Sequence, residues 1–580
     1  MTDFEKKANN APGQEVVARL MDRRGFLKTL AAAGAGAAIG SNALLRETLA
    51  QKAPPSRGNF KPTDLHFSIE EQYRPVSLLA ENCVELRDGF DTLASATNYQ
   101  TLSPAPEGDA GSATFGSGKL QVSGDSYFAL FKSDTGQRAP FTTIILDVER
   151  FAGSGGEHDA VYAGLVKDAD NYVVAWYDDA KKQAGFDVVV DGAVNSLGTV
   201  EVDLPAPARF AFVLNENLVI SLSDTGDGFE HLLRRNVEEL VDLREPATLS
   251  EYKNGFGARA SSGTIVLDGV EAGYYGEVGV RDENIVTYSD GTPFIEDGKL
   301  YFTQTNAGVV GDGVYAGGAG VRAAHFGVYT LDLSDYAKLE EVGKIFFQRD
   351  GKLLGDHAGH VTYDEDTESF HVYASTWGDF RFEPDSGVQV SHVQVGGTNL
   401  LEGVHVLEAD LLPIPTQTEV YDPHVARIRG DWWIGYVETR QSPFGRHYPV
   451  LAKASGPDFN DLTIVGKDPS VNSLPGRVYE GTKLQKVGGE WYVFVSGFGD
   501  YRIYDLGMNF VGNLDAPYLE GTIPHPMVVP IPEDGRTRWI MITFDGETYD
   551  GLGTTTRSNF YVMEAAEITR GYEFPPRPLP

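Results

Sequence analysis

Three acidic residues of this chain each stand eight positions before a glycine: Asp290 before Gly298, Asp422 before Gly430 and Glu480 before Gly488. A bulky apolar pair follows each glycine: Leu300-Tyr301, Trp432-Trp433 and Trp491-Tyr492. The stretches are SDGTPFIEDGKLYFTQT (289–305), YDPHVARIRGDWWIGYVE (421–438) and YEGTKLQKVGGEWYVFVS (479–496). Two more, DHAGHVTYDEDTESFHVYAS (356–375) and IPHPMVVPIPEDGRTRWIMITFDG (523–546), carry His357 and His525 at the leading position. Carboxylates gathered at one place raise one another's pKa, so one can hold a proton near neutral pH while another stays ionised. Such a pair is the equipment for breaking a glycosidic bond. One carboxyl protonates the leaving oxygen, and the other activates water or attacks the anomeric carbon.

The elements that would gather them are readable from the same stretches. Each is a strand, a tight glycine turn and a second apolar strand. The leading positions recur at spacings of 67, 65, 58 and 45 residues, and a further apolar run follows most hairpins, as in HFGVYTLDL (325–333) and HYPVLAKAS (447–455). Five units of four strands predict a five-bladed β-propeller over 279–570, whose innermost strands end around one axial funnel. Before it, runs such as FTTIILDVERF (141–151), YVVAWYDD (172–179) and ARFAFVLNENLVISLSD (208–224) alternate and break at turns, which predicts an antiparallel β-sandwich over 86–278.

Two resemblances follow. The propeller stretches are similar to the blade-opening motifs of five-bladed propeller glycosidases, the family 43 glycoside hydrolases with their fructan- and mannoside-active relatives. The fourth-unit stretch resembles their EGP signature and the third-unit stretch their DP motif. The resemblance implies an inverting glycoside hydrolase with Asp290 as base, Asp422 orienting substrate and tuning the acid, and Glu480 as general acid. It also implies a substrate-side role for His525. Inversion would place the two working carboxyls roughly 6.5–9.5 Å apart. The first unit reads SDGTP where DP is usual, which leaves Asp282 and Glu283 as alternative partners. The sandwich resembles concanavalin-like or laminin-G-like jelly rolls, which implies a carbohydrate-binding or purely structural module.

His357 is read as a hydrogen-bonding residue near substrate, and Trp377 and Phe498, after inner hairpins, as sugar-stacking platforms. Arg502, with Arg427 and Arg477, would serve phosphate if the enzyme were a phosphorylase. A lyase or transferase on the same scaffold, or a non-catalytic glycan-binding protein, are the alternative readings. No metal ligand set or cofactor is expected, a structural calcium or sodium ion in the funnel being left open. GVVGDGVYAGGAG (308–320) lacks the strand-then-helix setting of a phosphate loop, and no GxSxG, HExxH or CxxC is present.

The rest bounds the setting. Among 580 residues, Lys+Arg number 48 against Asp+Glu 83, a net charge of -35, which argues against nucleic acid and anionic membrane as partners. The expected partner is a polysaccharide or oligosaccharide. MDRRGFLKTLAAAGAGAAIG (21–40), with Arg23 and Arg24, resembles a twin-arginine export signal, so 1–53 are expected to be signal and leader. Residues 54–85 then read as linker and 571–580 as tail. The single cysteine, Cys83, excludes an intramolecular disulfide and suits export of folded protein to the periplasm or beyond.

Overall fold

The computed structural model of the chain describes residues 60–570 apart from short internal segments, the longest being 309–323, 469–477 and 379–386. The export signal, the tail, Phe498, Arg477 and nearly all of the glycine-rich loop lie outside the described residues. The regular structure described is almost entirely strand. Among the described residues, no helix is long and apolar enough to cross a membrane.

Between residues 77 and 277 the strands form two antiparallel sheets of seven and eight strands. Period-two alternation sends Val161, Ala163 and Leu165 of one sheet, and Ile144, Leu146 and Val148 of the other, into one shared core. Each such buried side chain stabilises by about 1.5–3 kcal/mol, so the face-to-face packing follows from the alternation. The segment expected as linker instead carries two strands. Ser77–Asp88 pairs with Thr264–Glu277 of the sandwich, and Phe67–Tyr73 belongs elsewhere.

From Val280 onward the sheets follow one another in a propeller-like arrangement. Their innermost strands are Val280–Ile285, His357–Asp364, Val420–Ile428, Tyr479–Val487 and Met527–Glu533. Successive sheets share apolar cores, and the last shares one with the first through Val280 and Phe302 against Ile540 and Val562. The expected count of five like units needs correction. Four blades are built from strands of 280–513; the remaining sheet is composite, its outer strand being Phe67–Tyr73, paired with Phe560–Ala565. The physical reason is edge protection. Without that strand Phe560–Ala565 would present unpaired backbone groups.

Sandwich and propeller meet over Phe141, Tyr274 and Phe346, whose rings stack at 4.9 and 5.7 Å. Beside them is a buried polar cluster. Lys344 Nζ donates to Glu341 Oε1 at 2.6 Å and lies 2.8 Å from His325 Nε2, while the Tyr329 hydroxyl lies 3.2 Å from Glu277 Oε2. Burial, and then the charge of Glu341, push the Glu277 carboxyl up to about 8, with Lys344 acting in the opposite sense. A raised carboxyl binds a proton in the folded state that the unfolded state lacks between its ordinary pKa and about 8. Its contribution is therefore present at low pH and lost as pH rises through that window. Glu277→Gln should unfold like the native protein at pH 5 and be more stable at pH 8, by on the order of 1–3 kcal/mol; thermal unfolding at the two pH values measures it. Equal stabilities at pH 8 would show that Glu277 is ionised without cost.

Candidate active site

Each of the first four inner strands loses register with its neighbour at one place. The break lies between Arg281 and Asn284, His357 and His360, Tyr421 and His424, and Glu480 and Lys483. At each break the chain takes a positive φ: Asp282 at 60°, Ala358 at 51°, Asp422 at 54° and Gly481 at 66°. These are β-bulges, which bend a strand and re-aim its side chains. The fifth inner strand pairs without such a break. Adjacent bulges are tied together. Ala358 N–H donates to Thr305 Oγ1 (3.2 Å), Asp422 N–H to Ser375 Oγ (3.0 Å) and Gly481 N–H to Asp422 Oδ2 (3.1 Å).

The bulges supply a register that glycine counting missed. Asp282 and Asp422 occupy the same position in their sheets, and Glu480 matches Tyr421 one residue earlier. Asp290, expected in the acidic column, lies instead in a turn: Gly291 N–H donates to Tyr288 O (2.9 Å), and Thr292 N–H to Asp290 Oδ1 (3.0 Å). The count failed because an extra pair of short strands, Thr287–Tyr288 and Ile295–Glu296, is inserted before the second strand of that sheet. Counting back from Gly298 therefore lands inside the insertion. The shared pattern Asp-x-Asn/His (282–284 and 422–424) was the sequence signal that marks the true pair.

Around the funnel, one donor atom each from Asp422, Glu480 and His525 lie within 4.8 Å of one another. His525 Nε2 is 3.5 Å from Asp422 Oδ2 and 3.9 Å from Asp282 Oδ1. Asp422 and His525 are buried, while Glu480 retains a quarter of its side-chain exposure. Burial, then the charges of Asp282 and Glu480, hold the Asp422 carboxyl well above the ordinary carboxylate range. Burial also raises Asp282, against the pull of Arg281. His525 is held far below the usual imidazole value by burial and by Lys483 and Arg281, so it stands neutral between the carboxyls. Burial lowers Lys483 to about 8, although Asp422, Asp282 and Glu283 favour its charge. Two carboxylates and an imidazole could also hold a cation, but the positive charges of Lys483 and Arg281 oppose one there.

Glu480 has its own partners. The Tyr421 hydroxyl donates to its Oε1 at 3.1 Å, His447 Nδ1 lies 2.8 Å from the same oxygen, and hydroxyl and Nδ1 are 2.6 Å apart. Burial, followed by the Glu480 charge, holds the Tyr421 phenol well above its ordinary value, so it remains a donor. Neither Tyr421 nor His447 was anticipated from sequence. His447 sits on the third strand of its sheet, where no motif marks it.

The other expected residues divide. His357 is buried with Nδ1 2.7 Å from Gly355 O, and its ring stacks at 6.5 Å on Trp377, which packs 5.2 Å from the Tyr421 ring. Trp377 thus borders a funnel residue. Arg502 does not serve as a free cation. Its guanidinium lies over Tyr479 (4.9 Å) and Phe510 (5.3 Å) and bonds Asp500 and Asp468.

No protein-family model matches this sequence, and no curated protein is significantly similar to it. Solved structures do show likeness of fold. A levansucrase variant of Bacillus subtilis in complex with oligosaccharides is 10% identical over 50% of this chain and 87% of that one, with a TM-score of 0.36. A levansucrase variant of B. megaterium is 11% identical over 52% and 86%, also at 0.36. A carbohydrate-binding module of Bacillus subtilis is 14% identical over 30% and 95%, at 0.23.

Gly481 is a tight constraint in the site. A Cβ there would lie 2.2 Å from the His525 ring, on backbone with φ of 66°. Gly481→Ala should cost at least about 1–2 kcal/mol in backbone strain alone and displace His525 from Asp422. Chemical denaturation measures the first effect, and the His525 imidazole resonances report the second. An alanine variant with native stability and an unmoved His525 spectrum would refute this packing.

Proposed function

We propose that the protein hydrolyses a glycosidic bond in a polysaccharide or oligosaccharide, using Asp282, Asp422 and Glu480. The observation that carries this reading is the bulge register, which aims carboxylates from three sheets at one funnel around a neutral histidine. Glu480, at the rim and bridged by Tyr421 and His447, is the general acid. Its proton passes to the leaving oxygen as the anomeric C–O bond breaks. Asp282 is the base. It takes a proton from the water whose oxygen bonds the anomeric carbon. Asp422, fixed by the Gly481 N–H, orients the sugar between them. This assignment keeps the family 43-like roles for Asp422 and Glu480 and moves the base from Asp290 to Asp282, with inversion as the expected course.

The same proposal includes a carbohydrate-binding role for the two-sheet domain, read as a concanavalin-like jelly roll. It also includes export through the twin-arginine route, supported by Arg23-Arg24 and the apolar run after them.

The test uses the protein from about residue 54 on arabinans, xylans, fructans, galactans and mannans, with product anomers followed by NMR. Asp282→Asn and Glu480→Gln should each lower kcat roughly 10²–10⁴-fold, while Asp290→Asn stays near the native rate. His447→Gln should slow substrates with poor leaving groups and leave activated aryl glycosides nearly unaffected. Loss of activity in Asp290→Asn with survival in Asp282→Asn would overturn the assignment. Binding of one glycan with cleavage of none would make the protein a carbohydrate-binding propeller.

A further inference from the structure

Resting on that reading of the funnel, we infer that its ligand carries an oxyanion, the carboxylate of an acidic sugar, and that Arg281 receives it. Arg281 precedes the first bulge, in the position held by His357, Tyr421 and Glu480 in the next three sheets. Tyr421 and Glu480 meet each other at the funnel from that position, and His357 stacks beside Trp377. The Arg281 charge is felt by Asp282 and by His525, which places it where the first sheet meets the segment leading into the fifth.

The guanidinium is half-buried, yet it makes no hydrogen bond and no ion pair among the described residues. Its Nε is shut away from solvent without a partner. Arg349 and Arg244, also on interior ground, show the usual arrangement. The first lies 2.7 Å from Asp356 and the second 3.0 Å from Asp242. Asp282 is the obvious partner for Arg281, but it is engaged elsewhere: Thr305 Oγ1 donates to its Oδ2 at 2.8 Å, and its Oδ1 faces His525. A desolvated guanidinium with nothing to bond is costly. It is also a rigid fork of donors whose geometry fits a planar carboxylate in two parallel bonds. Lys483, deeper in the funnel, adds a second positive charge against the surrounding carboxyls.

A neutral sugar would leave this fork unfilled. A uronosyl residue would fill it, and a site built to bond a polar group discriminates strongly against ligands lacking that group. Free phosphate has the same oxyanion chemistry, and the two sources are separable by experiment.

The measurement is calorimetric titration of the Glu480→Gln protein, with Arg281 intact or changed to Met or to Lys. Its ligands are acidic oligosaccharides (oligogalacturonides and glucuronoxylan fragments), their carboxyl-reduced counterparts and inorganic phosphate. With Arg281 present, carboxyl reduction should weaken binding by roughly 10–100-fold. Arg281→Met should remove that preference while changing neutral-sugar affinity by less than about 3-fold, and Arg281→Lys should restore part of it as a point charge. Phosphate binding that depends on Arg281, without any preference for acidic sugar, would assign the oxyanion to free phosphate. Equal affinity for acidic and reduced sugars, with no phosphate binding, overturns the inference; so does an equal loss for both sugars in Arg281→Met. Cleavage of a neutral glycan that needs Asp282 but not Arg281 would leave the hydrolase standing and remove this inference alone. Arg281-dependent binding of acidic sugar without cleavage would do the reverse.

Discussion

The site depends on one backbone irregularity repeated four times. Ordinary antiparallel pairing alternates side chains across a sheet and would not bring side chains of neighbouring sheets together at a funnel. A single extra residue in the left-handed region changes that. For Asp282, Ala358 and Asp422 this conformation is unfavourable, by on the order of 1–3 kcal/mol each. The hydrogen bonds from bulge to bulge hold it in place: Thr305 with Ala358, Ser375 with Asp422, Asp422 with Gly481. Below the bulges a second set of links repeats the step. His360 Nδ1 accepts from Val425 N–H, His424 Nδ1 from Leu484 N–H and Gln485 Oε1 from Val528 N–H. The buried imidazoles of the axis are therefore joints between sheets. Burial holds His360 down to about 3, so it accepts as the neutral ring.

Electrostatics then decides which groups can carry charge. Two like charges 4 Å apart interact by about 4 kcal/mol at an effective dielectric near 20, so ionising Asp282, Glu283, Asp422 and Glu480 together is disfavoured even with Lys483 and Arg281 nearby. Glu283 resolves its share by protonation: it is fully buried, its oxygens have no hydrogen-bond partner among the described residues, and burial drives it well above the ordinary range. Asp422 is driven the same way. Asp282 is raised by burial as well, with the Arg281 charge pulling the other way, and Glu480 has the Tyr421 hydroxyl and His447 within hydrogen-bond reach. Depth and neighbours thus give the carboxyls of the funnel unlike environments, which acid–base chemistry requires.

What was legible in the sequence was whatever local periodicity encodes. The hairpins were readable because Asp297-Gly298, Arg429-Gly430 and Gly488-Gly489 all take positive φ, the tight-turn signature. Asp422, Glu480 and His525 were readable because each opens such a unit. The bulges were not, since no residue type announces them: Asp, Ala, Asp and Gly fill the same conformation. The count anchored on hairpin glycines failed for separate reasons: the short strands inserted before Gly298 put Asp290 in the column, and the doubled glycine of the fourth turn aligned Glu480 one residue out of step. In the fourth sheet the residue equivalent to Gly430 is Gly489, because Val487 pairs Glu490 as Ile428 pairs Asp431. His447 and Arg281 were invisible for a different reason. Their significance lies in which groups face them across sheets, and a one-dimensional pattern contains no such neighbours.

The strand Phe67–Tyr73 changes how the two-sheet domain is to be understood. It lies before the sandwich in sequence but pairs, Phe67 with Ala565 and Tyr73 with Phe560, in the last sheet of the propeller. The sandwich, 77–277, is therefore an insertion after the propeller's first strand and does not precede the propeller as an independent domain. Nearly the whole chain lies between the two partners of this closing ladder. Its closure entropy falls late on the balance sheet, and topology of this kind folds slowly. The sandwich shortens that search. It holds Ser77–Asp88 against Thr264–Glu277, so the chain leaves it at Glu277 close to where it entered at Ser77. The first inner strand, bearing Arg281 and Asp282, then starts three residues later beside the sheet that the N-terminal strand completes. The strand that carries the first carboxylate of the funnel therefore starts directly from the sandwich's last strand.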